Sequence, residues 1–133
     1  MKTMMISPYE KYRQSSVKTS TPGQLLIMLF DGAIRFTKAG AEGIAAADIQ
    51  KTNQNFVKAQ AIMSELMATL DPGYSISNSL FSLYEYIRHL MIQANVKKDQ
   101  SLAEEALTYL NELRVTWMEA SKANISQDHT HGR

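Results

Sequence analysis

The stretch that decides the fold spans residues 25–36 and reads Leu25-Leu26-Ile27-Met28-Leu29-Phe30-Asp31-Gly32-Ala33-Ile34-Arg35-Phe36. Its first six residues are large and apolar, and apolar residues continue beyond Asp31. On a helix of about 100° per residue, the charged positions here and just beyond fall in one wedge roughly 60° wide: Asp31, Arg35, Lys38 and Glu42. A surface helix needs an apolar stripe only a little over about 100° wide. The stretch is therefore either wrapped by its own chain or keeps part of its surface for a partner.

Three further amphipathic segments follow this stretch and predict more helices. The first helix begins at the start signal Thr21-Pro22 and runs to about residue 47. Asp48 is a suitable cap for a second helix over about 49–70, and Pro72-Gly73 keeps that helix from continuing. A third helix spans about 77–97. A capping box formed by Ser101 and Glu104 predicts the last helix over about 102–122.

The length and order of these segments predict the architecture. Four helices of about 20 to 25 residues with short connections pack as antiparallel neighbours. We predict an all-α, up-down-up-down four-helix bundle over residues 21–123. Residues 1–20 are predicted to form a short helical arm on a flexible tether, with an apolar face made by Ile6, Tyr9 and Tyr12. The polar residues 124–133 are predicted to be a disordered tail.

The composition argues against several classes of protein. The 133 residues include no Cys, which excludes disulfides and thiolate metal sites. The chain has 14 Lys and Arg against 13 Asp and Glu, so it lacks the basic surface that nucleic acid requires. No apolar run reaches the roughly 18 residues of a membrane helix, and the N-terminus has no apolar stretch of signal-peptide length. We therefore expect a cytoplasmic protein that neither binds nucleic acid nor inserts into a membrane.

The sequence offers no residue pattern for catalysis or for a cofactor. Helical bundles that hold two metal ions use inward-facing Glu-x-x-His pairs, and none occurs here. Glu85 and His89 are four residues apart on the polar side of the third helix, where a surface pair is the simpler reading. No nucleophile stands with a base and an orienting group. We expect neither enzyme activity nor a bound cofactor or metal.

Protein binding is the remaining use for the excess apolar surface. One outward strip lies on the first helix, and a second lies on the third helix with Val96 at its end. The candidate groove residues on these two strips are Ile27, Phe30, Ile34, Phe81 and Ile92. Such strips favour grooves for amphipathic partner helices, although burial in a homodimer or cover by the N-terminal arm explains them too. A homo-oligomeric structural or regulatory protein is the alternative function.

Several motifs, in order along the chain, resemble the family of the flagellar secretion chaperone FliS. The most specific is Met28-Leu29-Phe30-Asp31-Gly32-Ala33, within the opening stretch. Others are Pro8-Tyr9-Glu10-Lys11-Tyr12, Ser20-Thr21-Pro22, Leu83-Tyr84-Glu85-Tyr86, and Leu113-Arg114 with Trp117. The connection after Asp71 departs from the family, which often has a Gly-Gly-Glu-like stretch there.

The resemblance implies a cytoplasmic chaperone without ATP or another cofactor. Its client would be the C-terminal segment of flagellin, disordered when free and helical when wrapped round the bundle. Binding would block premature filament assembly and present flagellin to a component of the flagellar export gate. The predicted partner-binding residues are the three apolar residues of the arm together with the five groove residues. We expect the arm to cover a groove when the client is absent, and a weak homodimer stays open as an alternative.

Overall fold

The computed structural model describes residues 22–131, and the side chains of residues 22–122. This part of the chain forms four helices: α1 (Pro22–Ala45), α2 (Ile49–Ala68), α3 (Ile76–Lys97) and α4 (Gln100–His131). Both α1 and α3 pack along α2 and α4, so the helices form a ring in which α1 lies opposite α3. The all-α four-helix bundle is therefore confirmed, whereas the predicted arm at residues 1–20 lies outside the described residues.

The α1–α2 connection reverses the chain within three residues. Ala47 adopts a left-handed conformation, with φ at 56°. The amide of Asp48 then donates back to the carbonyl of Gly43 at 2.8 Å, and the amide of Ala47 donates to that of Ile44 at 3.1 Å. This pair of bonds is the Schellman end of a helix. The Asp48 carboxylate accepts from the amide of Lys51 at 3.0 Å, which confirms the predicted cap of α2.

The α3–α4 connection repeats this device, with a correction to the predicted start of α4. Lys98 is left-handed, with φ at 54°, and the amide of Asp99 donates to the carbonyl of Ala94. The Asp99 carboxylate accepts from both the amide (2.9 Å) and the hydroxyl (2.6 Å) of Ser101. Asp99 therefore caps α4, rather than Ser101 with Glu104 as the sequence predicted. The bonds from Ser101 hold the pKa of Asp99 below its usual value.

The far end of α4 also differs from the prediction. The last helix was expected to stop near residue 122 and to give way to a polar tail from Asn124. Instead, its backbone stays helical as far as His131. The physical reason is the absence of a stop signal, because the first Gly or Pro after Gln100 is Gly132. Within residues 22–131, no helix combines the length and the apolar character that crossing a membrane requires.

The core lies along the axis of the ring. The Phe30 ring of α1 meets the Tyr84 ring of α3 across the centre, with centroids 6.2 Å apart and planes inclined at 60°. An ion pair between Asp31 and Arg114 ties the polar wedge of α1 to α4. The other fully buried large side chains come from all four helices, and they are Leu29, Phe56, Ile62, Met63, Leu66, Ile87, Met91 and Leu110.

Two glycines let α1 and α2 approach closely. A Cβ added at Gly40 would lie 2.7 Å from the Phe56 ring, and one added at Gly43 would lie 2.7 Å from the backbone nitrogen of Thr52. Both distances are too short for carbon in a packed protein. These glycines in the second half of α1 therefore serve a close contact between the two helices.

Candidate partner-binding site

The structure divides the predicted groove residues between the inside and the outside of the bundle. Phe30 is 0% exposed and Ile34 is 8% exposed, and both belong to the core. The expectation that these two side chains face outward is therefore corrected. Because α1 packs along α2 and α4 and also faces the bundle centre, its apolar arc is largely used within the fold. Several apolar residues of α1 are half-buried, among them Leu26 and Ile27 near its start and Phe36 further along.

The predicted residues on α3 face outward. Phe81 is 45% exposed, and Ile92 is half-buried. The arm residues Ile6, Tyr9 and Tyr12 lie outside the described residues. Of the predicted set, Phe81 and Ile92 thus share one stripe of α3, on the side whose Arg88 and Asn95 bond to α2.

Two hydrogen bonds across α2 and α3 set the register of this surface. The Asn95 side-chain amide donates to the side-chain oxygen of Asn53 at 2.9 Å, and an Arg88 guanidinium nitrogen donates to the Ser64 hydroxyl at 3.2 Å. Since one turn separates Asn53 from Val57, and Ile92 from Asn95, the antiparallel packing places Val57 level with Ile92. The α2–α3 strip, as we call this surface, consists of Val57, Ser64, Phe81, Arg88 and Ile92.

The strip combines apolar area with one charge. Val57 is 51% exposed and does not belong to the core cluster. Arg88 is half-buried between the levels of Phe81 and Ile92. Among the ion pairs of residues 22–122, none involves Arg88. A shallow depression of about 480 Å³ over the outer surface of α3 is lined by Ser82, Glu85, Tyr86, Arg88, His89 and Ile92. Arg88 and Ile92 therefore face the same open space.

A second apolar feature, the end cavity, lies where α1 begins and α2 leads into α3. Its volume is about 160 Å³, close to that of a cavity that holds one benzene ring. Burial raises the pKa of Tyr84 in its wall, against a smaller opposing effect of its hydrogen bond with Trp117. The other lining residues are Leu26, Thr69, Leu70, Asp71, Tyr74, Ile76, Ser77 and Leu80.

Sequence reasoning missed Val57, Arg88 and the end cavity. The available signal for Val57 was an apolar residue directly after Phe56, about 100° round the helix from it. No comparable signal existed for the cavity, because it joins Leu26 of α1, Trp117 of α4 and residues of α3 with the α2–α3 connection. Within the described residues, no three His, Asp or Glu side chains group in a way that could hold a metal ion.

Comparisons with known proteins identify relatives of the whole chain. A family model described as flagellar protein FliS matches residues 5–124. The flagellar secretion chaperone FliS of Bacillus subtilis is 35% identical over 126 residues, which cover 95% of each chain. The protein of the same name from Salmonella typhimurium is 31% identical over 118 residues, or 86% of this chain and 87% of the relative. That of Campylobacter jejuni is 27% identical over 113 residues, covering 84% and 88%.

Proposed function

Because the chain belongs to the FliS family of flagellar secretion chaperones, we propose that its client is flagellin. In this proposal the protein binds the C-terminal segment of flagellin in the cytoplasm. It keeps that segment from polymerising early and delivers it to a component of the flagellar export gate. The bundle of residues 21–123 carries the binding surface, and residues 1–20 act as a separate arm.

The observation that supports client binding most strongly is the α2–α3 strip. The bundle already has a closed core, in which side chains such as Phe30 and Phe56 are fully buried. Phe81, Val57 and Ile92 add nothing to that core, yet they align on one face between two helices. An exposed apolar face of this kind is the usual seat of an amphipathic helix.

The chemistry of the client explains why a helix-binding strip suits it. A segment that packs inside a filament must carry apolar side chains, and it would self-associate when free. On the strip these side chains leave water, and this gain offsets the entropy lost when a disordered segment becomes helical. The segment cannot pair with other flagellin molecules while it is bound.

Calorimetry with the C-terminal segment of flagellin tests the proposal. Replacing Phe81 and Ile92 together by serine removes the apolar surface that these side chains offer to the segment. The double variant should therefore bind the segment about tenfold more weakly. Val115→Ser is the matched control, because Val115 is 52% exposed on α4, away from the strip. Unchanged affinity in the double variant contradicts the proposal. A stable dimer that the flagellin segment leaves intact would favour the homo-oligomeric alternative.

The arm supplies a second part of the proposal. The end cavity adjoins the start of α1, directly after the arm in sequence, and Leu26 of α1 lines it. We propose that the arm covers a groove in the client-free protein and that the client displaces it. Deleting residues 1–18 should then raise the affinity for the flagellin segment. An unchanged affinity would reject competition, and a lower one would mean that the arm contributes contacts to the client.

A further inference from the structure

Arg88 occupies a defined position within the α2–α3 strip. It follows Phe81 by seven residues and precedes Ile92 by four, so all three lie on one stripe of α3. At about 1.5 Å per residue, the backbone of Arg88 lies about 10 Å along the helix from Phe81 and about 6 Å from Ile92. A charge thus sits between the two apolar positions that a client helix would cover.

The hydrogen bonding of Arg88 is incomplete for a group at such a place. A guanidinium has five N–H donors, and within residues 22–122 Arg88 donates to the Ser64 hydroxyl at 3.2 Å. The nearest acid in sequence, Glu85, is exposed and forms no ion pair with it. Water satisfies the other donors while the strip is empty. A purely apolar helix laid over the strip would remove that water and leave the charge without a partner.

We propose that Arg88 selects client helices that carry an acidic side chain between two apolar ones. The occupant is an amphipathic helix of flagellin's C-terminal segment, so this inference rests on the proposed function. Its apolar residues contact Phe81 and Ile92, and its carboxylate accepts from the Arg88 guanidinium in a charge-assisted hydrogen bond. A helix with a basic or an apolar residue at that position is rejected, because the guanidinium would then be repelled or left unpaired.

Charge reversal on both partners tests this inference. The probe is the C-terminal segment of flagellin, in which each acidic residue is replaced in turn by lysine. Arg88→Glu should weaken binding of the natural segment about five- to tenfold, whereas Arg88→Lys should keep most of it. One lysine variant of the segment should bind Arg88→Glu better than the natural segment does, and this variant identifies the paired acid. Lys38→Glu, on an exposed position of α1, is the control for a general effect of charge.

The outcomes separate this inference from the proposed function. If Arg88→Glu binds the natural segment as the unchanged protein does, the acid-selecting role is wrong. Client binding on the strip still stands in that case, provided that the Phe81 and Ile92 double variant is weak. Equal losses in Arg88→Glu and Lys38→Glu, or the absence of any rescuing lysine variant, would also overturn the role of Arg88. If the natural segment binds none of the proteins, the proposed function fails, and this inference fails with it.

Discussion

Replacing Gly43 by alanine tests the packing of α1 against α2 most sharply. The added Cβ would lie 2.5 Å from the Thr52 hydroxyl oxygen, 2.7 Å from its backbone nitrogen and 3.0 Å from its Cα. Heavy atoms in contact prefer about 3.5 Å, so the helices would have to separate by about 0.5–1 Å at this point. Because two of the three atoms belong to the backbone, no rotation of a side chain relieves the contact.

The expected magnitude is the difference between two effects. Overpacking of a well-packed site costs about 1–3 kcal/mol, and alanine gains up to about 1 kcal/mol over glycine within a helix. Gly43→Ala should therefore lower the free energy of unfolding by about 1–2 kcal/mol. For a chain of this length that corresponds to a fall in Tm of about 3–8 °C.

Urea unfolding followed by circular dichroism measures this change as a shift of the midpoint at constant slope. Ala45→Gly, at an exposed position near the same helix end, measures only the difference in helix propensity between alanine and glycine. Gly40→Ala is the informative companion, because its Cβ would meet only the Phe56 ring among the three nearest atoms. Phe56→Leu should partly rescue Gly40→Ala, whereas Thr52→Ala should barely help Gly43→Ala. A Gly43→Ala protein as stable as the parent would refute the close approach.

Four other substitutions test separate features of the fold. Ala47→Gly should stabilise the protein by about 1 kcal/mol in urea unfolding, because Ala47 is held at φ 56°; a loss of stability would contradict the Schellman end. Thr37→Val should raise the free energy of unfolding by about 1 kcal/mol, since the buried Thr37 hydroxyl has no hydrogen-bond partner within the described residues; destabilisation would reveal a missed bond. The lowered pKa of Asp99 makes its contribution to stability fully present above the unfolded-state pKa and lost as the pH falls through the folded-state pKa. In Asp99→Asn, the free energy of unfolding should therefore fall less steeply as the pH drops below about 4. The same steepness as in the parent protein would contradict this cap. Phe30→Asp should unfold the bundle in circular dichroism rather than weaken client binding alone, and a folded variant would show that Phe30 is not in the core.

The helices themselves could be predicted from the sequence because local signals mark them. Asp48 caps α2 as expected, and the predicted helix starts and ends agree with α1, α2 and α3 within a few residues. The exception is α4, whose end was predicted near residue 122 from the polar composition that follows. No Gly or Pro stops the helix there, and it continues to His131. Its cap also lies at Asp99 rather than Ser101. The amide of Asp99 closes the end of α3 after the left-handed Lys98, and its carboxylate caps the start of α4.

The partner-binding surface was harder to predict because exposure depends on how the helices are arranged. Periodicity locates an apolar arc on α1, but it cannot tell which part of a nearly all-round arc faces the core. Phe30 and Ile34 were placed outside on that basis and are buried. Phe81 and Ile92 were placed correctly on an outward side, since α3 has a narrower core stripe. The place of Arg88 within the strip could not be predicted, because it depends on how α3 is aligned with Ser64 of α2.

The central claim is that the α2–α3 strip receives the C-terminal helix of flagellin. The most direct test is nuclear magnetic resonance of the isotopically labelled full-length protein, titrated with the flagellin segment. We predict that the largest changes in chemical shift fall on Val57, Phe81 and Ile92, with little change around the ion pair of Asp31 and Arg114 on the α1–α4 side. Changes confined to the α1–α4 side, with the strip unaffected at saturating segment, would contradict the claim.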